Sequence, residues 1–236
     1  MIVSRGLTKT YGSVDVLRGV DLSIARGRVT AIVGPNGAGK TTFIKSLLGL
    51  TRPDAGSLTF DGVAIGDDAA YRARIGYMPQ IAHFPESLTG TDLLELLCDL
   101  RGTHSCDEQL IDQLDVRASL DKKLRVMSGG TRQKMNAVAA FLFAPELYVL
   151  DEPTSGLDPL SSGILKERIL AERRAGRTII LTSHILSEID ELADDIIYLC
   201  EGTVHFAGGV TELKRQTGTL TIERAIAALM RREVAA

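Results

Sequence analysis

Basic residues are not in excess in this sequence: 27 Lys and Arg stand against 30 Asp and Glu, a formal charge of −3. Nucleic acids and anionic membrane surfaces are bound through a basic face, so this balance argues against both as general partners. Cysteine is scarce too. Cys98, Cys106 and Cys200 are odd in number, form no CxxC pair and stand apart, which argues against a disulfide framework and predicts reduced thiols. His83, His104, His184 and His205 show no metal-ligand spacing. Apolar runs such as "AVAAFLFA" fall far short of the roughly 20 residues that a membrane-spanning helix needs. The opening "MIVSRGLTKTYG" has no apolar signal-peptide core. Together these absences predict a cytoplasmic chain that serves a membrane, if at all, through a partner. Internal repeats, low-complexity segments and long linkers are missing as well.

What is present is material for a core. Hydrophobic residues make up 44% of the 236 and charged residues 24%, which suits one domain or a core with a modest subdomain. "VDVLRGVDLSIARGRVTAIVG" alternates apolar and polar residues and then becomes an apolar run, predicting antiparallel strands that lead to a buried strand at Val29 to Val33. Phe43, Ile44, Leu47 and Leu48 share a helical face, with Gly49 and Pro53 as the stop. "GSLTFDGVAI" reads as a hairpin. From about Thr91 the pattern turns helical: Leu93, Leu94, Leu97 and Leu100 are helically spaced, Gly102 ends that run, and "DEQLIDQL" suggests a further helix. Beyond Pro145, strand-like "LYVL", "TIILTS" and "DIIYLC" alternate with the amphipathic "SSGILKERILAERRAG". That alternation predicts an α/β fold with a largely parallel sheet, interrupted by a helical insertion. A last helix, "TIERAIAALMRR", puts Ile222, Ile226, Leu229 and Met230 on one side.

Two motifs carry chemistry. "GPNGAGKT", Gly34 to Thr41, matches G-x-x-x-x-G-K-[ST] and falls between a buried strand and a helix, where a phosphate-binding loop belongs. Glycines let the backbone wrap a phosphate chain with its N–H groups inward. Lys40 is placed to neutralise the β- and γ-phosphates of ATP, and the Thr41 hydroxyl to ligate Mg²⁺. A plain glycine-rich turn is the alternative, and strand, spacing, Lys and Thr all weigh against it. "LYVLDE", Leu147 to Glu152, delivers two carboxylates at the carboxyl end of a buried strand, where open α/β sheets bind ligands. Asp151 suits the Mg²⁺ and Glu152 suits a general base on an attacking water; a solvent-facing acidic strand end is the alternative.

These motifs, together with "SGG" at Ser128 to Gly130, "PTSGLDP" after "LYVLDE", "RIGYMPQ" ending in Gln80 and "IILTSH" ending in His184, resemble the ATP-binding cassette (ABC) ATPases over almost the whole chain. The resemblance implies a P-loop NTPase (RecA-like) core with an N-terminal antiparallel β subdomain and an inserted α-helical subdomain. The core would take about residues 1–84 and 146–212, the helical insert about 85–145, and a helical tail about 213–236. It implies that Tyr11 stacks on adenine. Gly34, Pro35, Asn36, Gly37, Ala38, Gly39, Lys40, Thr41 and Thr42 would hold the phosphates, and Thr41, Gln80 and Asp151 would serve Mg²⁺. Glu152, Gln80 and His184 take the catalytic roles, His184 as a γ-phosphate sensor. Ser128, Gly129 and Gly130 would cap ATP bound to a second subunit, across a crossing loop "SGLD" that ends at Asp158, so the active form implied is a dimer, a homodimer in the simplest case. Where the family usually has Gln after the second glycine this chain has Thr131, and Met127 replaces a more frequent Leu.

The single cassette without a sustained heptad run resembles a transporter's ATPase subunit more than the soluble ABC ATPases of ribosomes or DNA. A peripheral place on the inner face of the cell membrane, through a membrane-spanning subunit, follows from that resemblance. Ile81, Phe84 and Pro85 in "IAHFPESLTG" would anchor a short helix of that subunit, or else belong to the insert's own core. The chain's end soon after the cassette, without a large regulatory domain, resembles ATPases of export-type membrane subunits. Within that group, "SGGTRQK", "AFLFAPEL" and "VHFAGGVTELK" look most like the copper-processing ATPases of nitrous-oxide reductase maturation, with drug or lipid exporters as the alternative.

Overall fold

The computed structural model describes residues 1–66, 69–103 and 106–234; His104 and the last two residues of the tail lie outside them. Two long strands open the chain, β1 (Ile2–Tyr11) and β2 (Val14–Ile24), paired antiparallel across a tight turn. β1 also pairs with β4 (Ala55–Phe60), and β4 with β5 (Val63–Ala64), which completes a four-stranded antiparallel sheet. Ile2, Leu7, Leu17, Val20, Leu22 and Ile24 are buried on its covered face, with β-bulges in the β1–β2 pair shifting the two-residue alternation between them.

The second sheet contains β3 (Val29–Val33), β6 (Ile75–Met78), β7 (Leu147–Asp151), β8 (Thr178–Thr182), β9 (Asp195–Cys200) and β10 (Thr203–Gly209), in the order β10-β9-β3-β8-β7-β6. All of its pairings are parallel except that of β10 with β9. Strands β3, β7 and β8 are buried throughout, because both faces of the sheet are covered. Ile32, Leu147, Val149 and Ile180 face the antiparallel sheet and α1 (Lys40–Leu47). The alternate residues Ala31, Tyr148, Leu150 and Leu181 face the opposite core, to which α4 (Gly129–Phe141), α5 (Pro159–Arg174), α6 (Leu186–Leu192), α7 (Val210–Thr217) and α8 (Ile222–Val234) contribute. The fold is α/β. Helix α6 is short and lies between strands β8 and β9, and α7 lies between β10 and α8.

Between β6 and β7 the named elements are all helical: α2 (Gly90–Arg101), α3 (Gln109–Gln113), two short 3-10 turns and α4. Thr89 and Asp92 close a reciprocal capping box at the start of α2, and Gly102, at φ 63°, ends it in the left-handed conformation. Leu93 is buried as its spacing predicts, but Leu100 is 74% exposed, so the apolar stripe is shorter than its period suggests. The turn at Gly102 also corrects the reading of three separate thiols. Cys106 lies against Cys98, their sulfurs facing each other with Cα atoms 7.3 Å apart. Among the described residues no helix is long and apolar enough to cross a membrane.

Candidate active site

The carboxyl ends of β3, β7 and β8 converge on one edge of the parallel sheet. From β3 the chain enters Gly34 to Gly39, with Gly34, Gly37 and Gly39 at φ 153°, 80° and 102°. Here glycine is required by space as well as by φ. A Cβ on Gly34 would stand 1.9 Å from the Leu199 carbonyl oxygen, and one on Gly39 would stand 2.7 Å from that of Val16. The loop is thus pressed between β9 and the antiparallel sheet, while Pro35, Asn36 and Gly37 face solvent. Gly39 is the N-cap of α1 and offers no side-chain acceptor, so the first N–H groups of α1 are left for a ligand. Lys40 Nζ donates to the carbonyls of Gly34 and Pro35 at 2.7 and 2.9 Å, which holds a half-buried ammonium over the loop. Burial lowers its pKa, and the charges of Glu152 and Asp151 oppose that shift. Thr41 is exposed and Thr42 half-buried in the first turn of α1.

Asp151 ends β7 with Oδ1 accepting from the Thr182 hydroxyl at 2.5 Å. Glu152 follows at φ 54°, unusual for a non-glycine residue, and its N–H donates to the Thr182 backbone carbonyl and hydroxyl oxygens. β8 therefore pins both acids through one threonine. The Glu152 side chain is only 10% exposed, and Oε1 stands 3.2 Å from His184 Nε2 while Oε2 accepts the His184 N–H at 3.3 Å. Burial raises the Glu152 pKa; His184 and Lys40 pull it down, and Asp151 adds to the rise. A half-buried cation, bare helix amides and two fixed acids on one sheet edge suit a polyphosphate with a divalent cation.

The remaining candidates are spread over more than one surface, Tyr11 at the β1–β2 hairpin and Gln80 and Gly129 at a separate cleft. A cleft of about 550 Å³ is lined by Gln80, Gly129, Ser155 and Gly156, among others, and by no residue of the phosphate loop. Ser128 caps α4, accepting from Thr131 N–H at 3.1 Å, and its hydroxyl lies 2.8 Å from the Thr131 hydroxyl. Around Gly129 there is open space, and a Cβ on Gly130 would meet only the Gly156 carbonyl, at 3.5 Å. The Asp158 carboxylate is occupied as the cap of α5, accepting from Ser161 N–H and hydroxyl, and it pairs with Lys134 at 3.3 Å. The Ser161 bonds hold its pKa below the usual carboxylate range. Tyr11 closes the β1–β2 hairpin, about half exposed, with its hydroxyl 3.3 Å from that of Thr51 and Lys9 over its ring. Ile81 is 66% exposed, whereas Phe84 packs on the core and is not a free anchor.

Two buried residues that sequence reasoning passed over tie α4 to the segments that carry Gln80 and the residues after Glu152. Buried Asn136 donates to the Pro79 carbonyl at 2.7 Å, and buried Gln133 reaches the Pro153 carbonyl at 3.5 Å. Both lie on α4, directly after the Ser-Gly-Gly. Polar residues on the apolar face of a helix were the available signal.

The profile of the ABC transporter family matches residues 17–155. A daunorubicin resistance ATP-binding protein of Streptomyces coeruleorubidus is 38% identical over 90% of this chain and 69% of its own length. A Nod factor export ATP-binding protein of Ralstonia nicotianae is 34% identical over 84% of this chain and 63% of its own. A solved ATP-binding subunit of an ABC transporter superposes with a TM-score of 0.90 at 30% identity, covering 98% of this chain and 99% of that one. The chain belongs to the ATP-binding subunits of the ABC transporter family. It is an ATPase that uses ATP and Mg²⁺.

Proposed function

We propose that this chain is the ATPase of an export-type ABC transporter, working as a dimer beneath a separate membrane-spanning subunit. The observation that carries the dimer is the division of the candidate residues. Phosphate loop, Asp151, Glu152 and His184 share one sheet edge, while Gly129, at the start of α4, lines a cleft that the phosphate loop does not. A head-to-tail pair would close each site with the other chain's Ser128, Gly129 and Gly130. The export reading rests on the named relatives, a resistance protein and an export protein. None of those reported is named for copper processing, so that narrower expectation gives way to the exporter alternative. The implied location is the inner face of the cell membrane, held by the partner.

In this reading Lys40 and the free backbone N–H groups of the Gly34–Thr42 loop bind the β- and γ-phosphates, Tyr11 stacks on adenine, and Thr41, Gln80 and Asp151 would hold Mg²⁺. The metal, when bound, neutralises charge on the phosphate oxygens. Glu152 takes a proton from the attacking water, and His184 orients Glu152 and donates toward the γ-phosphate. Asp158 acts by capping α5 and so fixing the loop that crosses between chains.

Co-expression with the candidate membrane subunit tests the partner. Ile81→Asp places a charge at an exposed apolar residue and should abolish co-purification while leaving a cooperative melt and ATP binding intact. Phe84→Asp should instead lower stability by roughly 2 kcal/mol or more, because Phe84 packs on the core. Retention of the complex by Ile81→Asp would move the docking surface elsewhere. For the loop, Thr131→Val removes one hydroxyl contact to Ser128, worth about 0.5–1.5 kcal/mol, so turnover should fall by no more than roughly tenfold. A hundredfold fall in steady-state ATPase would make Thr131 a specialised contact.

A further inference from the structure

We propose that Cys98 and Cys106 form a reversible dithiol–disulfide pair, a covalent modification site that exchanges with low-molecular-weight disulfides. The site uses none of the residues assigned to nucleotide. The left-handed turn at Gly102 returns the chain so that the two sulfurs meet eight residues apart, while Cys200 sits on β9, outside the pair. Access comes from a cleft of about 450 Å³ that both cysteines line. Cys106 is the more exposed of the two and Cys98 is buried, so the first exchange falls to Cys106 and the second to Cys98.

The pair also has mechanical connections. Asp107, next to Cys106, donates its N–H to the Leu142 carbonyl at 2.8 Å and pairs with Arg168 of α5 at 2.5 Å. Closing the disulfide therefore ties the end of α2 to a segment already bound to α4 and α5. The chemistry balances with a small disulfide as oxidant. The Cys106 thiolate attacks it, forming a mixed disulfide and releasing one thiolate. Cys98, having given its proton to solvent, then displaces the second thiolate. Two protein thiols are oxidised to one disulfide, and the reagent is reduced to two thiols; dithiothreitol reverses the sequence.

The cleft also selects among reagents. Glu95, Asp99 and Glu108 line it, and Arg117, the one lining guanidinium among the described residues, is already paired with Glu108 and Asp112. A cationic disulfide is therefore favoured over an anionic one.

The test uses the reduced full chain, equilibrated with cystamine or with oxidised glutathione and then labelled with maleimide. Trypsin cleaves after Arg101, between the two cysteines, so an unreduced digest reports the bond as peptide 75–101 joined to peptide 102–117. The expected result is loss of two labelled thiols with that linked pair, retained in Cys200→Ser and absent in Cys106→Ser. Both variants should keep wild-type ATPase activity, which shows that they fold. Cystamine should react about threefold faster or more at low salt, and the gap should close at high salt. Three thiols still labelled after equilibration, a linked peptide containing Cys200, or a bond between two chains would overturn the pair. Equal rates for the two reagents would overturn the acidic cleft as its route.

Discussion

Glu152→Gln should bind ATP normally and turn it over about 10²-fold more slowly or worse, the usual size of a general-base contribution. The amide keeps the shape and can still reach His184, but it carries no charge to take a proton from water. Its surroundings explain why the effect should be large: the side chain is nearly buried, the backbone is held at φ 54°, and Thr182 fixes the turn. Burial raises the Glu152 pKa, so the acid limb of kcat/KM against pH should lie above the ordinary glutamate range in the native chain. Activity is lost as pH falls through that raised value, because the protonated acid cannot act as a base. Single-turnover hydrolysis and a pH profile check both points. Turnover near wild type in Glu152→Gln removes the residue from its role.

Gly130→Asp should abolish hydrolysis while one chain still binds ATP and melts cooperatively. Within the chain there is room for the new side chain, since a Cβ would meet only the Gly156 carbonyl at 3.5 Å. Its cost falls on the assembled site, where a carboxylate would oppose the γ-phosphate held by the other chain. Equilibrium binding of a fluorescent ATP analogue and steady-state ATPase separate the two effects. Retained hydrolysis would show that this loop does not approach nucleotide.

The parallel core was legible because both faces of the sheet are covered: "AIV", "LYVL" and "IIL" are apolar without interruption. The phosphate loop was legible because its spacing encodes its geometry. Less visible were features that depend on contacts between distant segments. Leu100 keeps helical spacing yet is exposed, although Arg101 in the same turn is held by the Ala73 and Ile75 carbonyls. Cys98 and Cys106 looked separate because a left-handed turn at one glycine cannot be read from spacing alone. Asp158 carries a motif position, but its capping of α5 and its pairing with Lys134 appear only in three dimensions. Asn136 and Gln133, which bond the Pro79 and Pro153 carbonyls, read as ordinary polar helix residues until α4 is packed against those two prolines.

The account turns on a nucleotide site completed by a second chain. Sedimentation velocity of the Glu152→Gln chain, with and without ATP and Mg²⁺, tests that directly, because slowed hydrolysis leaves ATP in place. A monomer without nucleotide that becomes a dimer with ATP, holding two ATP per dimer, is the predicted result, and Gly130→Asp in the same background should prevent it. A chain saturated with ATP that stays monomeric at every protein concentration tested would contradict the account.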